Sequence, residues 1–158
     1  MFDDETLAFL HSGCALIVGT VDDDGVPHAG RAWGLEVRDP GPPGRLRLLL
    51  DSEDLVTVAH TAAGGAIAIT ATSVRTFRSL QMKGHATGVE PACEADLARA
   101  ARYCDAFFTD IEEADRTPRG IVESMRPLGY VACTAEVGEV FDQTPGPRAG
   151  ASIPRAGA

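Results

Sequence analysis

The stretch Cys14–Val37, CALIVGTVDDDGVPHAGRAWGLEV, constrains the fold more than any other part of the chain. Cys14–Val21 is a short apolar run rich in β-branched residues, which reads as a strand. Asp22–Gly25 follows, and its Asp24-Gly25 pair suits the positive φ angles of a tight hairpin turn. Val26–Val37 then reads as the returning strand, with Gly30 and Gly34 inside it. Glycine within a strand marks a bulge, or a place where another group comes close to the backbone. Two strands joined this tightly must run antiparallel.

The same pattern continues downstream. Arg38–Arg45 holds three prolines and two glycines in eight residues and reads as a loop. Leu46–Asp51 is a third strand, Ala66–Thr72 a fourth, and Ser73–Pro91 a fifth. Between the third and fourth, Ser52 is expected to cap a helix running to Ala63, with Glu53 and Asp54 near its positive end and Gly64-Gly65 stopping it. At the start of the chain, Asp3 or Asp4 caps a short helix through His11 that Gly13 ends. From Glu94 the period changes. Leu97, Ala100, Ala101, Cys104, Phe107, Phe108 and Ile111 recur at three- and four-residue steps, the spacing of an amphipathic helix. Pro118 begins a further short helix through Met125, and Leu128–Asp142 alternates as the last strand. Residues 1–142 thus read as one domain, and 143–158 as an irregular, Pro/Gly-rich tail. Hairpins dominate, so the expected fold class is mainly β with helices (α+β): a small antiparallel barrel with peripheral helices. No strand–loop–helix of the dinucleotide-binding type is present, since GVPHAG has the wrong spacing and follows a hairpin turn.

Charge narrows the partners. The 158 residues hold 23 acids against 14 Lys and Arg, a formal net charge of −9. Nucleic acid and anionic membrane surfaces both attract basic proteins, so neither is an expected partner. A small anionic ligand held by a few local cations stays compatible. The N-terminal MFDDETLAFLHSG carries acids where an export signal carries Lys or Arg, and a cytoplasmic location is expected. Cys14, Cys93, Cys104 and Cys133 lack the spacing of a zinc site and read as reduced thiols, mostly buried.

Polar chemistry concentrates in two strands. Alternation across Ser73–Pro91 puts Thr76, Arg78, Leu80 and Met82 on one face, and Phe77, Ser79, Gln81 and Lys83 on the other. The second set is a row of hydrogen-bonding groups ending in a cation, which suits a flat polar ligand carrying a phosphate. On pattern alone, a barrel face that simply meets water, with Lys83 as a solubilising charge, is the commoner explanation. Arg31 and Trp33 form the second group: Arg is the preferred fork for phosphate oxygens, while a single Trp serves as well in a core or an interface. Ser52 stands where a helix N-terminus would favour an anion, although its capping role already explains it. His11, His28, His60 and His85 are dispersed and form no nucleophile–base pattern.

The order of elements, together with GTVDDDGVPHAGRAWGLEV, LRLLLDSEDLVTVAHTAAGGAIAITAT and RTFRSLQMKGHATGVE, resembles the pyridoxamine 5′-phosphate oxidase-like family of FMN-binding split barrels. The likeness runs from about Leu7 to Glu90 and more weakly through Phe141. It implies a homodimer with FMN in a cleft at the subunit interface and a small-molecule substrate. Arg31, Ala32, Trp33 and Gly34 match the strand that lines the isoalloxazine and reaches the phosphate. Asp51 and Ser52 match the end of the third strand, beside ring or ribityl atoms. Ser79 matches a position that offers a polar side chain to the flavin, with Gln81 and Lys83 further along. Two features depart from the family pattern. Its oxidases carry a basic pair early in the inserted helix to clamp the phosphate, and Thr57 and Val58 stand there instead. The C-terminal region that holds pyridoxal phosphate in the vitamin B6 enzyme has no counterpart in VFDQTPGPRAGASIPRAGA. Two expectations result: an FMN-dependent oxidoreductase other than the vitamin B6 enzyme, or a binding or sensing protein that holds a flavin, F420 or haem, or no cofactor at all.

Overall fold

A computed structural model describes residues 1–154 of the chain. In chain order the elements are α1 (Asp4–Leu10), β1 (Ala15–Val21), β2 (Pro27–Asp39), β3 (Gly44–Asp51), α2 (Leu55–Ala62), β4 (Ala66–Thr72), β5 (Ser79–Pro91), α3 (Glu94–Asp115), α4 (Arg119–Glu123), β6 (Tyr130–Asp142) and β7 (Ala151–Ser152). The strands lie in the order β3-β2-β1-β4-β5-β6-β7, and β3 also pairs with β6. That extra pairing closes six antiparallel strands into a barrel, as the succession of hairpins predicts.

Alternation sorts the side chains. Leu16 and Val18 of β1, Ile67, Ile69 and Ala71 of β4, and Leu80 and Met82 of β5 point inward and are buried. They meet Leu46, Leu48 and Leu50 of β3 and Cys133, Ala135 and Val137 of β6 in one apolar cluster. Each large side chain so buried contributes about 1.5–3 kcal/mol of transfer free energy. The intervening residues of β1 and β4 face outward.

Helices cover particular strands. Tyr103, Cys104, Phe107 and Phe108 of α3 join the core beside Trp33 and Leu35 of β2, with Phe108 edge-on to Trp33 at 6.3 Å between ring centroids. The Tyr103 hydroxyl donates to the Cys14 carbonyl at 2.8 Å and ties α3 to the start of β1. α2 packs against β5, β1 and β2. Its Thr57 and Thr61 are fully buried, and a Cβ at Gly30 would collide with Thr57 Oγ1 and Asp54 Oδ2. The close approach expected at Gly30 is therefore α2 itself. Gly25, at φ 82°, makes the expected β1–β2 turn.

An ion network lies across the outer side of β3. Arg47 donates to both carboxylate oxygens of Asp96, at 2.8 and 2.7 Å, and to Glu90 at 2.5 Å. Asp96 also accepts from the backbone N–H of Cys93 at 2.9 Å, at the start of α3. The Asp96 side chain is fully buried, and the Arg47 guanidinium holds its carboxyl far below the usual carboxylate range.

Three expectations are corrected. The cap of α2 is Asp54, which accepts from the Thr57 N–H; Ser52 lies further back, with its N–H donating to the Gly129 carbonyl. Strand β5 begins only at Ser79, because Ser73–Arg78 folds into a loop with Phe77 at φ 59°. The tail is not wholly irregular: β7 pairs with Phe141–Asp142, and the Ile153 N–H donates to the Val140 carbonyl at 2.8 Å.

Candidate functional site

The outward faces of β2, β1, β4 and β5 form one continuous surface, and the registers set its rows. Thr72 stands opposite Ser79 and Ala15. The next row is Arg31, Ile17, Thr70, Gln81 and Phe141. Ala29, Gly19, Ala68, Lys83 and Glu139 follow, and then Val21, Ala66 and His85. The outward positions of β1 and β4 carry no charge: Ala15, Ile17, Gly19 and Val21 on one, Ala66, Ala68, Thr70 and Thr72 on the other. A cavity of about 650 Å³ opens on this surface, lined by Gly19, Ala66, Ala68, Lys83, Gly84 and His85 and, from β6, by Glu136 and Glu139. Its floor is made of small residues, which let a flat group lie close to the backbone.

One cation lines this cavity, Lys83, and another, Arg31, stands on the same face at the β2 side. The Arg31 guanidinium lies over the Trp33 and Phe107 rings, 5.7 and 5.3 Å from their centroids. The Lys83 ammonium lies 4.8 Å from the centre of Phe141. Among the described residues neither is ion-paired, and the same holds of the exposed Arg102 and Arg116 of the α3 region, whereas Arg38, Arg45, Arg47, Arg75, Arg78, Arg99, Arg119, Arg126 and Arg148 meet carboxylates. What sets Arg31 and Lys83 apart from Arg102 and Arg116 is that each guanidinium or ammonium rests against an aromatic ring. Arg31 and Lys83 lie one row and three strand spacings apart, about 16 Å along the sheet at the usual strand separation and rise.

The other expected site residues divide into three groups. Gln81 lies beside Lys83 on β5, in the row of Arg31; it donates to Thr70 Oγ1 at 3.2 Å, and its carbonyl oxygen accepts from Gln143 at 3.5 Å. Ser79 shares its face but is buried: its hydroxyl pairs with Thr72 Oγ1 at 2.7 Å, and Thr144 covers its backbone. Ala32, Trp33 and Gly34 are buried in β2, and Trp33 supports Arg31 from below instead of facing solvent. Asp51 and Ser52 lie at the end of β3 that leads into α2. Arg31, Gln81 and Lys83 are thus brought together, and the remaining residues are not. Ile17, Gly19 and Ala68 complete the surface. Alternation of small residues along β1 and β4 was the sequence signal for them.

The start of α2 holds no open anion site. Asp54 accepts from the Thr57 hydroxyl at 2.6 Å and from His28 Nε2 at 3.2 Å. Burial alone would raise the Asp54 pKa, but the Thr57 and His28 hydrogen bonds outweigh it and hold the carboxyl below its ordinary value. His60 stands edge-on to His28 at 6.3 Å and pairs through Nδ1 with the Thr20 hydroxyl at 2.9 Å. A negative group already occupies the helix start, so a phosphate there would meet repulsion.

Nucleophilic and metal chemistry find little footing. Burial pushes the Cys14 and Cys133 thiols up to about 11 and raises Cys104 as well. All four cysteines are free, and only Cys93 is exposed. Among the described residues no group of three or more His, Cys, Asp or Glu is placed to hold a metal ion, and no helix is long and apolar enough to cross a membrane.

No family model matches the chain, and no curated protein matches it either. Solved structures do. HupZ from Group A Streptococcus aligns over 95% of this chain and 100% of its own at 17% identity and a TM-score of 0.56. A candidate pyridoxamine 5′-phosphate oxidase from Lactobacillus delbrueckii aligns over 89% and 93%, at 17% identity and a TM-score of 0.53. An F420 reductase aligns over 84% and 93%, at 15% identity and a TM-score of 0.53. The chain therefore carries the split-barrel fold that the pyridoxamine 5′-phosphate oxidase-like resemblance implies.

Proposed function

We propose that the chain is a homodimeric flavin-dependent oxidoreductase, with FMN, or the deazaflavin F420 in its place, lying along the outward face of β2, β1, β4 and β5. The observation that carries this reading is Lys83 at the cavity of small residues with Arg31 on the same face, each cation resting against an aromatic ring and neither ion-paired. The fit of the group is uneven along its length. Gly19 and Ala68 leave room for a flat ring, and Gln81 and Lys83 offer polar contacts to a ring edge. Arg31 is the remaining site for a phosphate. The start of α2, where the family's basic pair would stand, is filled by Asp54. The phosphate is thus assigned to the β2 side of the face, with Trp33 and Phe107 fixing the direction of the guanidinium.

When bound, such a cofactor supplies hydride transfer between a reductant and a small organic acceptor. The chain's part is to bind, orient and shield it. Lys83 offsets the Glu136 and Glu139 carboxylates that line the same cavity and favours negative charge at the ring edge, and the uncharged outward faces of β1 and β4 suit burial beneath a second copy. The direct test is the visible absorbance of the purified protein, followed by fluorescence titration with FMN and with F420. Saturable binding of either that weakens in Arg31→Ala supports the site. Binding unchanged in that variant removes it, and turnover with NADH or NADPH then separates an enzyme from a carrier.

A further inference from the structure

A second cavity, of about 470 Å³, lies where the end of α1, β2 and α3 meet, and it shares no lining residue with the cavity beside Lys83. Its volume falls within the range of small-ligand sites. Leu10, Leu35 and Tyr103 supply an apolar lining, and all three are buried. The Tyr103 hydroxyl is already spent on the Cys14 carbonyl, so this residue offers the cavity a ring and no donor.

The charged groups around that lining differ in their partners. Arg99 is held from two sides, by Glu36 at 3.0 Å and by Asp96 at 3.3 Å. Glu36, the carboxylate that lines the cavity, is met by Arg38 as well, at 2.6 Å. Arg102 follows Arg99 by three residues and so lies on the same side of α3. It lines the cavity and is not ion-paired among the described residues; Asp105, the acid next along that side of the helix, pairs with Arg119. In the network as a whole, Arg38, Arg47, Arg99 and Arg102 stand against Glu36, Glu90 and Asp96, which leaves one positive charge, on Arg102.

His11 adds a neutral donor. It caps the end of α1, and its Nε2 accepts the Val37 N–H at 3.2 Å. A nitrogen that accepts carries no proton, so the neutral ring holds its proton on Nδ1. That N–H has no partner among the described residues, and the ring lines the cavity. Ser12 does not duplicate it, since its hydroxyl donates to the Phe9 carbonyl at 2.7 Å. One forked cation and one neutral donor suit a singly charged planar group, and the apolar lining suits a body attached to it. A phosphate near its second ionisation would bring more negative charge than the single positive excess can offset.

We infer that this cavity is a second ligand site, which takes a small monocarboxylate with an apolar body and holds the carboxylate on Arg102 and the His11 Nδ1–H. The inference stands apart from the flavin reading, because none of its residues belongs to that face.

The test is calorimetric titration of the full chain with benzoate, and in parallel with benzyl alcohol and inorganic phosphate. Benzoate is expected to bind saturably at one site per chain. Benzyl alcohol, which keeps the ring without the charge, and phosphate, which keeps charge without the ring, should each bind about tenfold more weakly or worse. Arg102→Met retains the stem and removes the fork, for a loss of about tenfold or more in benzoate affinity. His11→Phe retains a ring and removes the donor, for a loss of about threefold to tenfold. Both side chains are exposed, so both variants should keep the thermal midpoint of the unmodified protein. Arg116→Met removes an exposed, unpaired arginine outside the cavity and should leave benzoate binding unchanged. The assignment is overturned by the absence of saturable benzoate binding, or by phosphate or benzyl alcohol binding as tightly as benzoate. It is equally overturned by an affinity that Arg102→Met or His11→Phe leaves unchanged, or that Arg116→Met lowers as much as Arg102→Met does.

Discussion

Arg47 and Arg31 sit on neighbouring strands of one barrel and have opposite surroundings. Arg47 on β3 is buried and ion-paired, with both oxygens of Asp96 and one of Glu90 on its guanidinium. Arg31 on β2 rests on two aromatic rings and meets no carboxylate among the described residues. The first fixes α3 to the barrel, its charge neutralised by two carboxylates. The second is held in direction by rings that do not neutralise it, which is how a binding cation is kept ready. Net charge alone, at −9, points away from anionic ligands; the local contrast restores one.

Four changes test the contrast, and the largest effect belongs to the ion-paired side. Asp96→Asn leaves a buried guanidinium short of its main partner and is expected to cost about 3–5 kcal/mol, read as a fall in the denaturant midpoint. The same pair sets an acid limb. Because the folded pKa of Asp96 is depressed, its stabilisation is complete above the ordinary aspartate value and is lost as pH falls below it. Below about pH 4 the unmodified protein should lose stability more steeply than Asp96→Asn; equal slopes would assign the acid limb to other groups. Arg31→Ala is expected to shift stability by about 1 kcal/mol or less, from lost ring contacts. Its FMN affinity should nevertheless fall roughly tenfold to a hundredfold, the range for one charged hydrogen-bonding group. A large stability loss with unchanged affinity would make Arg31 a second Arg47.

Lys83→Met keeps the apolar stem over Phe141 and removes the charge, so about a tenfold loss of affinity is expected by the same titration. Asp54→Ala is the mildest. It removes the α2 cap at a cost of about 1 kcal/mol and should leave FMN binding unchanged. Tighter binding in that variant would move the phosphate from Arg31 to the start of α2.

The barrel was legible because its strands obey a two-residue period and its turns use Gly and Asp. Ile67, Ile69 and Ala71 announce β4 without reference to any other element, and the α3 stripe from Ala100 through Phe108 does the same. What escaped was set by residues distant in the chain. Asp96 and Arg47 are 49 positions apart, and nothing local marks them as partners. Ser52 and Asp54 are both good caps; packing of α2 against β2 at Gly30 chooses Asp54. Phe77 reads as strand by composition, yet the ion pairs of Arg75 and Arg78 hold it in a loop. At the candidate site the polar row of β5 was readable, but Ser79 was not known to be spent on Thr72.

Closure of the sheet between β3 and β6 has a consequence for how the chain meets others. A barrel has no long free edge, and here the added strand β7 is only two residues long. Backbone groups that would recruit a foreign strand are already satisfied, so edge-to-edge pairing, the usual route to indiscriminate aggregation, is largely unavailable. Association must proceed through side chains on a face. Substitutions can then tune it residue by residue without disturbing a single backbone hydrogen bond of the barrel.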